Sequence, residues 1–259
     1  MKKFFFVSLL AQLFIVDLAA ADWTGIYAGL SAGGAINHSR YKLKPTGCFL
    51  APTLCGGPPS TNPLRTDKDT LGDVAFTGGG QIGGNYQIGS FVTGLETDFN
   101  YNGTDDKDVV NRPLAAPLIG NFVHTVKQKF DYFGTLRGRI GFTPVDQLLV
   151  FLSGGMAYGS IRSSTTALFT SSTDTYAGSA STTRVGWTAG VGAEYAFAQP
   201  WSVKFEYLYL DLGKITYNDP CVAPALLCAS FNPSPSYQTG LKVHEHIVRL
   251  GVNFKFFTF

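Results

Sequence analysis

Apolar and polar side chains alternate with a period of two along most of the chain after residue 25. In Ile26–Ile36 the even positions carry large apolar residues such as Leu30, whereas the odd positions carry small or polar residues such as Ser31. The segment Val74–Ile88 repeats the pattern, with Phe76 on the apolar face. Successive side chains of a strand point to opposite faces, so this pattern predicts β-strands with one apolar face.

Eight segments show this alternation, and each is long enough to supply the roughly 9–11 residues that a tilted strand needs to cross a bilayer. Short turns follow the second, fourth and sixth segments, whereas long connections follow the first, third, fifth and seventh, at about 39–72, 103–123, 161–183 and 213–240. Short turns on one side and long loops on the other are typical of outer-membrane barrels. The predicted strands are Ile26–Ile36, Val74–Ile88, Phe91–Tyr101, Lys127–Phe142, Leu148–Tyr158, Arg184–Phe197, Trp201–Tyr209 and Glu245–Phe256.

A sheet can lie in lipid only when it closes on itself, because lipid cannot hydrogen-bond the free backbone groups of a sheet edge. We therefore predict an all-β fold, an eight-stranded antiparallel transmembrane β-barrel with short periplasmic turns and four long extracellular loops. A secreted soluble sandwich, in which the apolar face would point inward, is the alternative. The charged residues that collect on the polar face of most segments favour the barrel.

The N-terminus has the pattern of a secretory signal peptide. Met1–Lys3 is basic, Phe4–Val16 is apolar and Ala19–Ala21 supplies small residues for cleavage. We predict a signal peptide at 1–21 and a barrel at 22–259, located in the cell outer membrane. The 20 basic and 18 acidic residues leave a net charge of +2, which argues against a nucleic-acid partner.

The polar face of the predicted strands carries charges of both signs. An eight-stranded barrel is narrow enough for side chains to fill, and buried charges persist when they are paired. We predict that these charges form a lumenal network of ion pairs that plugs the barrel, and a narrow porin-like diffusion channel is the alternative. Glu245, Asp131, Lys127 and Lys129 are assigned to the same face. The predicted network consists of Glu96, Asp98, Arg137, Arg139, Glu194, Lys204, Glu206 and Arg249.

The four cysteines form two pairs with the same internal spacing, Cys48 with Cys55 and Cys221 with Cys228. Export permits disulfides, and neither pair has redox or zinc-site spacing. Local disulfides, Cys48–Cys55 and Cys221–Cys228, are the first prediction. A bridge between loops, such as Cys48–Cys228, is the alternative, because the first and last loops adjoin where the barrel closes.

Several motifs resemble one known family. The segment 22–27 (DWTGIY) resembles the opening of small Gram-negative outer-membrane barrels, and 80–87, 186–195, 201–209 and 247–256 resemble their later strands. The family comprises porin-family surface antigens with an OmpA-like barrel, including haemin-binding proteins. The resemblance implies an eight-stranded barrel, insertion by the outer-membrane assembly machinery and exposed antigenic loops.

Three histidines are candidates for ligand binding. His244 and His246 share one face at the outer end of the last strand, and His38 stands at the outer end of the first strand, which adjoins it in a closed barrel. Imidazoles can hold a haem iron, although polar residues at a membrane rim are the simpler interpretation. No catalytic constellation stands out, so we expect no enzyme activity and no resident cofactor.

The expected function is structural and interactive, in envelope integrity and surface recognition, with adhesion or haemin binding as specific forms. The expected partners are outer-membrane lipid and lipopolysaccharide, the assembly machinery, and a host or small-molecule ligand at the loops. A monomer is expected.

Overall fold

The computed structural model describes residues 22–46, 66–114, 120–171, 174–223 and 235–258. The predicted signal peptide at 1–21 lies outside these residues and stays a prediction. No helix in the described part of the chain is long and apolar enough to cross a membrane. The described strands are β1 (Gly25–Asn37), β2 (Ser39–Thr46), β3 (Asp67–Leu71), β4 (Val74–Ile88), β5 (Phe91–Pro113), β6 (Asn121–Val145), β7 (Leu148–Phe169), β8 (Thr175–Ala198), β9 (Trp201–Ala223) and β10 (Ser236–Phe257).

The strands form a closed antiparallel ring. Neighbours follow the order β1-β4-β5-β6-β7-β8-β9-β10, and β1 pairs with β10 to close it. β2 continues β1 along the same partner strand, β10. Asn37 of β1 lies opposite Glu245 of β10, and Arg40 of β2 lies opposite Lys242 of β10. β3 pairs with β2 and continues β4 in the same way. The wall therefore contains eight long strands, which confirms the predicted eight-stranded barrel.

The apolar face of the membrane-level strands is on the outside of the ring. Leu30, Leu95 and Leu250 are 73%, 65% and 59% exposed. In β7, where both faces are apolar near the start, Phe151 is buried and Leu152 is exposed. A ring with this apolar exterior is suited to lipid, because its backbone groups are paired around the wall.

The strands extend further outward than the alternation predicts. β5 continues to Pro113, β6 begins at Asn121, β7 continues to Phe169 and β10 begins at Ser236. Much of the chain assigned to long connections is therefore barrel wall. We call this part of the wall the extension; it comprises 39–46, 67–71, 103–113, 121–131, 160–169, 175–186, 212–223 and 236–243.

The polarity of the two faces inverts between the membrane level and the extension. On β10, Leu250 points outward at the membrane level and Arg249 points inward. In the extension of the same strand, Lys242 is exposed, whereas Leu241 and Tyr237 are buried inside. The change follows the surroundings of the wall, since lipid selects apolar side chains on the exterior and water selects charged ones.

A shift of register on β6 corrects one part of the predicted pattern. The alternation places Phe130 on the outward face with Tyr132, but Phe130 is fully buried inside the extension. The pairing of β6 with β7 shifts between Phe130 and Tyr132, so the inward face changes from odd to even positions. The predicted lumenal residues Lys129 and Asp131 consequently lie outside, as does Lys127.

The interior of the barrel has three levels. Trp23, Val92, Leu149 and Phe151 form a small apolar cluster at the end with the short turns. Charged side chains fill the middle level. A larger apolar cluster fills the extension and includes Tyr41, Leu43, Phe122, Val126, Phe130, Ile161, Leu241 and Val243.

Candidate functional site

The middle level of the barrel interior is organised around Arg137 on β6. Its guanidinium lies 2.5 Å from Glu96 and 2.9 Å from Asp98, both on the neighbouring strand β5. The same group reaches across the lumen to Glu206 on β9, at 2.5 Å. Arg137 is 1% exposed, so its charge is balanced by these carboxylates rather than by water.

The other three cations complete the network. Arg249 lies 2.7 Å from both Asp98 and Glu206. Lys204 lies 2.9 Å from Glu96, and Arg139 lies 2.9 Å from Glu194. The structure thus places all eight side chains of the predicted network inside the barrel, as four cations facing four anions. Neutral side chains join it, since Gln81 receives a hydrogen bond from Lys204 at 2.9 Å and donates one to Asn253 at 2.6 Å.

Glycines on the facing strands make room for these long side chains. A Cβ atom at Gly33 on β1 would collide with the backbone and Cβ of Arg249. A Cβ atom at Gly155 on β7 would collide with the backbone of Leu136 and Arg137 in the same way. Two strands therefore carry no side chain where the neighbouring strand carries an arginine.

Glu245 lies between the ion-pair network and the apolar core of the extension. It is fully buried and receives hydrogen bonds from Asn102 at 2.6 Å and from Thr104 at 3.1 Å. No basic side chain of the described residues lies within salt-bridge distance of it. Its position is as predicted for an inward residue, but neutral hydrogen-bond donors take the place of the expected cation.

A second polar cluster lies inside the extension, and sequence reasoning missed it. The Tyr41 hydroxyl donates to Asp108 at 2.5 Å and contacts His124 Nε2 at 3.2 Å. His124 Nδ1 lies 3.7 Å from Asp67, which also pairs with Arg112 at 2.7 Å. Burial lowers the pKa of His124 from 6.5, although Asp67 acts in the opposite direction. The sequence signal is the alternation of His124 with Phe122 and Val126 on β6, which places this histidine on the inward face.

The three predicted histidines meet on the outer face of the wall, at the level where its polarity inverts; we call this level the rim. The His38 amide donates to the His244 carbonyl at 3.0 Å, and the His38 and His246 rings lie 6.5 Å apart. His246 Nδ1 is 2.6 Å from the Tyr207 hydroxyl, and His244 Nδ1 is 3.0 Å from the Tyr209 hydroxyl. The described residues contain no group of three or more His, Cys, Asp or Glu arranged to hold a metal ion.

The cysteine predictions fall mostly outside the described residues. Cys221 lies in β9 opposite Tyr176 of β8. Cys48, Cys55 and Cys228 are outside the described ranges. The local and the cross-loop pairings therefore both stay predictions.

Comparison with known proteins accords with this geometry. The family described as "Outer membrane protein beta-barrel domain" matches residues 5–256. The chain belongs to this outer-membrane β-barrel family. It is 33% identical over 247 residues to the 31 kDa outer-membrane immunogenic protein of Brucella melitensis biotype 1, covering 91% of this chain and 84% of that protein. It is 27% identical over 217 residues to the 22 kDa outer membrane protein of Rhizobium leguminosarum bv. viciae, covering 83% and 81%.

A solved outer-membrane β-barrel supports the same fold. The outer membrane protease OmpT of Escherichia coli aligns with 93% of this chain and 99% of its own, at a TM-score of 0.50 and 13% identity. At this identity the likeness concerns the fold alone. The protein is thus an outer-membrane barrel similar to a named outer-membrane immunogenic protein, and the expected lack of enzyme activity stays a prediction.

Proposed function

We propose that this outer-membrane β-barrel is a closed structural barrel that supports the envelope and presents its extension as a recognition surface. The ion-pair network across the lumen is the observation that carries this proposal. Its four cations and four anions are each at most 4% exposed. A conducting pore would need this level to be filled by water.

The connectivity of the network explains why the barrel should stay closed. Arg137 bridges β6 to β5 and β9, while Arg249 on β10 reaches Asp98 on β5. A passing ion would have to separate buried charged groups whose remaining partners at this level are neutral side chains such as Gln81 and Ser202. Breaking one buried pair costs about 3–5 kcal/mol, and several share the cross-section. The apolar core of the extension blocks the same path further out.

Planar-bilayer conductance tests this proposal. The purified protein is expected to show no stable open steps of conductance, because the ion-pair network and the apolar core of the extension both exclude water. Lys204→Gln keeps the side chain similar in size but removes one cation from the network, and Lys107→Gln, on the outer face of the extension, is the control. Open steps in the unmodified protein that change with Lys204→Gln and not with Lys107→Gln would favour the diffusion channel instead.

Haemin capture at the rim is a second candidate, favoured by the convergence of His38, His244 and His246. The Tyr207 and Tyr209 hydroxyls lie within hydrogen-bond distance of the Nδ1 atoms of His246 and His244, so these histidines would hold an iron through Nε2. An imidazole of His244 or His246 would supply the nitrogen ligand that haem iron takes in proteins, and the flanking aromatic rings would supply apolar contacts to a porphyrin. These histidines do not form a cage for a bare metal ion.

Haemin titration monitored by the Soret band tests this candidate. Replacing His38, His244 and His246 together by Ala is expected to abolish the ligation-dependent shift of the band. The control is His124→Gln, since His124 is the remaining histidine of the chain and is buried inside. Unchanged haemin binding by the triple variant would refute the rim site.

A further inference from the structure

Six basic side chains lie together on the outer face of the extension, just beyond the rim histidines. They come from four neighbouring strands, β9, β10, β2 and β3. We call this group the cationic patch: Arg40, Lys42, Lys44, Lys68, Lys214 and Lys242.

The sheet register places these residues next to one another. Lys214 lies opposite Lys242, and Lys242 lies opposite Arg40, so one row of three cations crosses β9, β10 and β2. Lys42 lies opposite Lys68 in the next row. All five alternate with residues that face the barrel interior, so they share the outward face.

No carboxylate neutralises the cationic patch. None of its six members lies within salt-bridge distance of an Asp or Glu among the described residues. The adjoining segments 47–65 and 224–234 contain no Asp or Glu in their sequence. The pKa of Lys42 is lowered from 10.5 by partial loss of hydration and by the charges of Lys44, Lys68 and Lys214.

The opposite wall of the extension shows that this arrangement is specific to one side. There, Lys129 pairs with Asp105 at 3.1 Å, and Arg162 pairs with Asp131. On that wall Lys107 and Lys127 also lie opposite each other without a salt bridge among the described residues, but the paired carboxylates of Asp105 and Asp131 lie beside them. The cationic patch differs because none of its six members has a neighbouring ion pair of this kind on the outer face. Unneutralised like charges repel one another, so the cationic patch is suited to a polyanion that brings them together.

The position of the cationic patch relative to the rim indicates which polyanion it binds. Lys242 lies two residues beyond His244 on β10, about 7 Å further along the strand, which is about 5 Å above the rim for a strand tilted as in outer-membrane barrels. The apolar exterior of the same strand begins just below the rim, at Val248. Because the head-group region adjoins the apolar core of a bilayer, we expect the phosphates of the outer leaflet at this level.

We propose that the cationic patch binds the phosphate groups of a phosphorylated glycolipid in the outer leaflet, the chemistry of lipid A in lipopolysaccharide. The site lies on the outer wall and is independent of whether the lumen conducts. Several lysines and one arginine around a lipid with two phosphates give charge-assisted hydrogen bonds at each phosphate. The lipid would thereby be held against one side of the barrel.

The test uses the full mature protein reconstituted in phosphatidylcholine nanodiscs with diphosphoryl lipid A as the probe. One variant combines Lys42→Gln, Lys214→Gln and Lys242→Gln. The matched control combines Lys107→Gln, Lys127→Gln and Lys129→Gln, which removes the same charge from the outer face of β5 and β6. Each charge near an anionic membrane surface contributes about fivefold, so the patch variant, which lacks three, should bind about a hundredfold more weakly. The control should bind like the unmodified protein.

Two further arms test whether binding needs the phosphates and whether it needs the acyl chains. Lipid A from which both phosphates have been removed should bind the unmodified protein and the patch variant equally weakly. Dextran sulfate should compete only weakly, because it lacks the acyl chains that place a lipid at this height. The proposal is overturned if both triple variants lose binding equally, if the patch variant binds normally, or if dextran sulfate binds as tightly as diphosphoryl lipid A.

Folding is checked by the heat-dependent gel shift of the barrel. The replaced side chains are on the water-facing surface of the wall, so both triple variants should fold. If the triple variant of the cationic patch does not fold, the single variants Lys242→Gln and Lys127→Gln provide the same comparison. Lys242→Gln should then bind diphosphoryl lipid A about fivefold more weakly than Lys127→Gln.

Discussion

Arg137→Met should lower the free energy of unfolding of the barrel by about 3–5 kcal/mol. Methionine retains most of the apolar stem but removes the guanidinium that contacts Glu96, Asp98 and Glu206. These carboxylates would then be buried with too few cations. Equilibrium unfolding in urea, from phosphatidylcholine vesicles, measures the loss.

Arg162→Met is the matched control for this effect. Arg162 also contacts a carboxylate, that of Asp131, but its side chain is 56% exposed on the outside of the extension. Water and salt screen such a pair, so we expect a loss of less than about 1 kcal/mol. Equal losses in the two variants would contradict a dry ion-pair network, because they would mean that water reaches Arg137 as it reaches Arg162.

A double variant separates the burial of unpaired charge from the loss of packing. Adding Glu206→Gln to Arg137→Met removes the charge of one of the three carboxylates that lose their contact with Arg137, although Arg249 remains beside it. Part of the lost stability should therefore return, although Glu206→Gln alone is destabilising. Additive losses would indicate that the two side chains do not interact in the folded barrel.

The strands at the membrane level, and the direction in which their side chains point, could be predicted from the sequence because the same requirement applies to every strand there. Lipid demands an apolar exterior, so alternation with a period of two identifies both the strand and its facing. β4 has the predicted bounds of Val74–Ile88, and the eight predicted charges all lie inside. The same rule fails in the extension, where the exterior faces water and the apolar side chains point inward.

Local irregularities explain the remaining differences. The register shift beside Phe130 changes which positions of β6 face inward, and alternation alone cannot reveal an inserted residue. Gly213 on β9 has a φ of +74°, and Leu212 and Ile215 both face inward on either side of it. The cluster of Tyr41, His124 and Asp67 is assembled from three strands of the extension, so it could not be recognised before the extension itself was known.

The inverted polarity also predicts opposite responses to the same substitution on one strand. Leu250→Arg should destabilise the barrel by about 2–4 kcal/mol, because Leu250 is near the middle of the apolar exterior of β10 and lipid cannot solvate a guanidinium there. Gln238→Arg places the same side chain on the same outward face, but in the extension, where water surrounds it. We expect its effect to be within about 0.5 kcal/mol.

Folding into phosphatidylcholine vesicles, followed by the gel shift and by urea titration, measures both variants. A third variant, Leu241→Arg, tests the interior of the extension, since Leu241 is fully buried and lies between these two positions on β10. It should be destabilising, although its neighbour Lys242 faces water. If Gln238→Arg lowered the free energy of unfolding as much as Leu250→Arg does, lipid would have to reach the extension. The membrane boundary would then have to move outward, past the cationic patch.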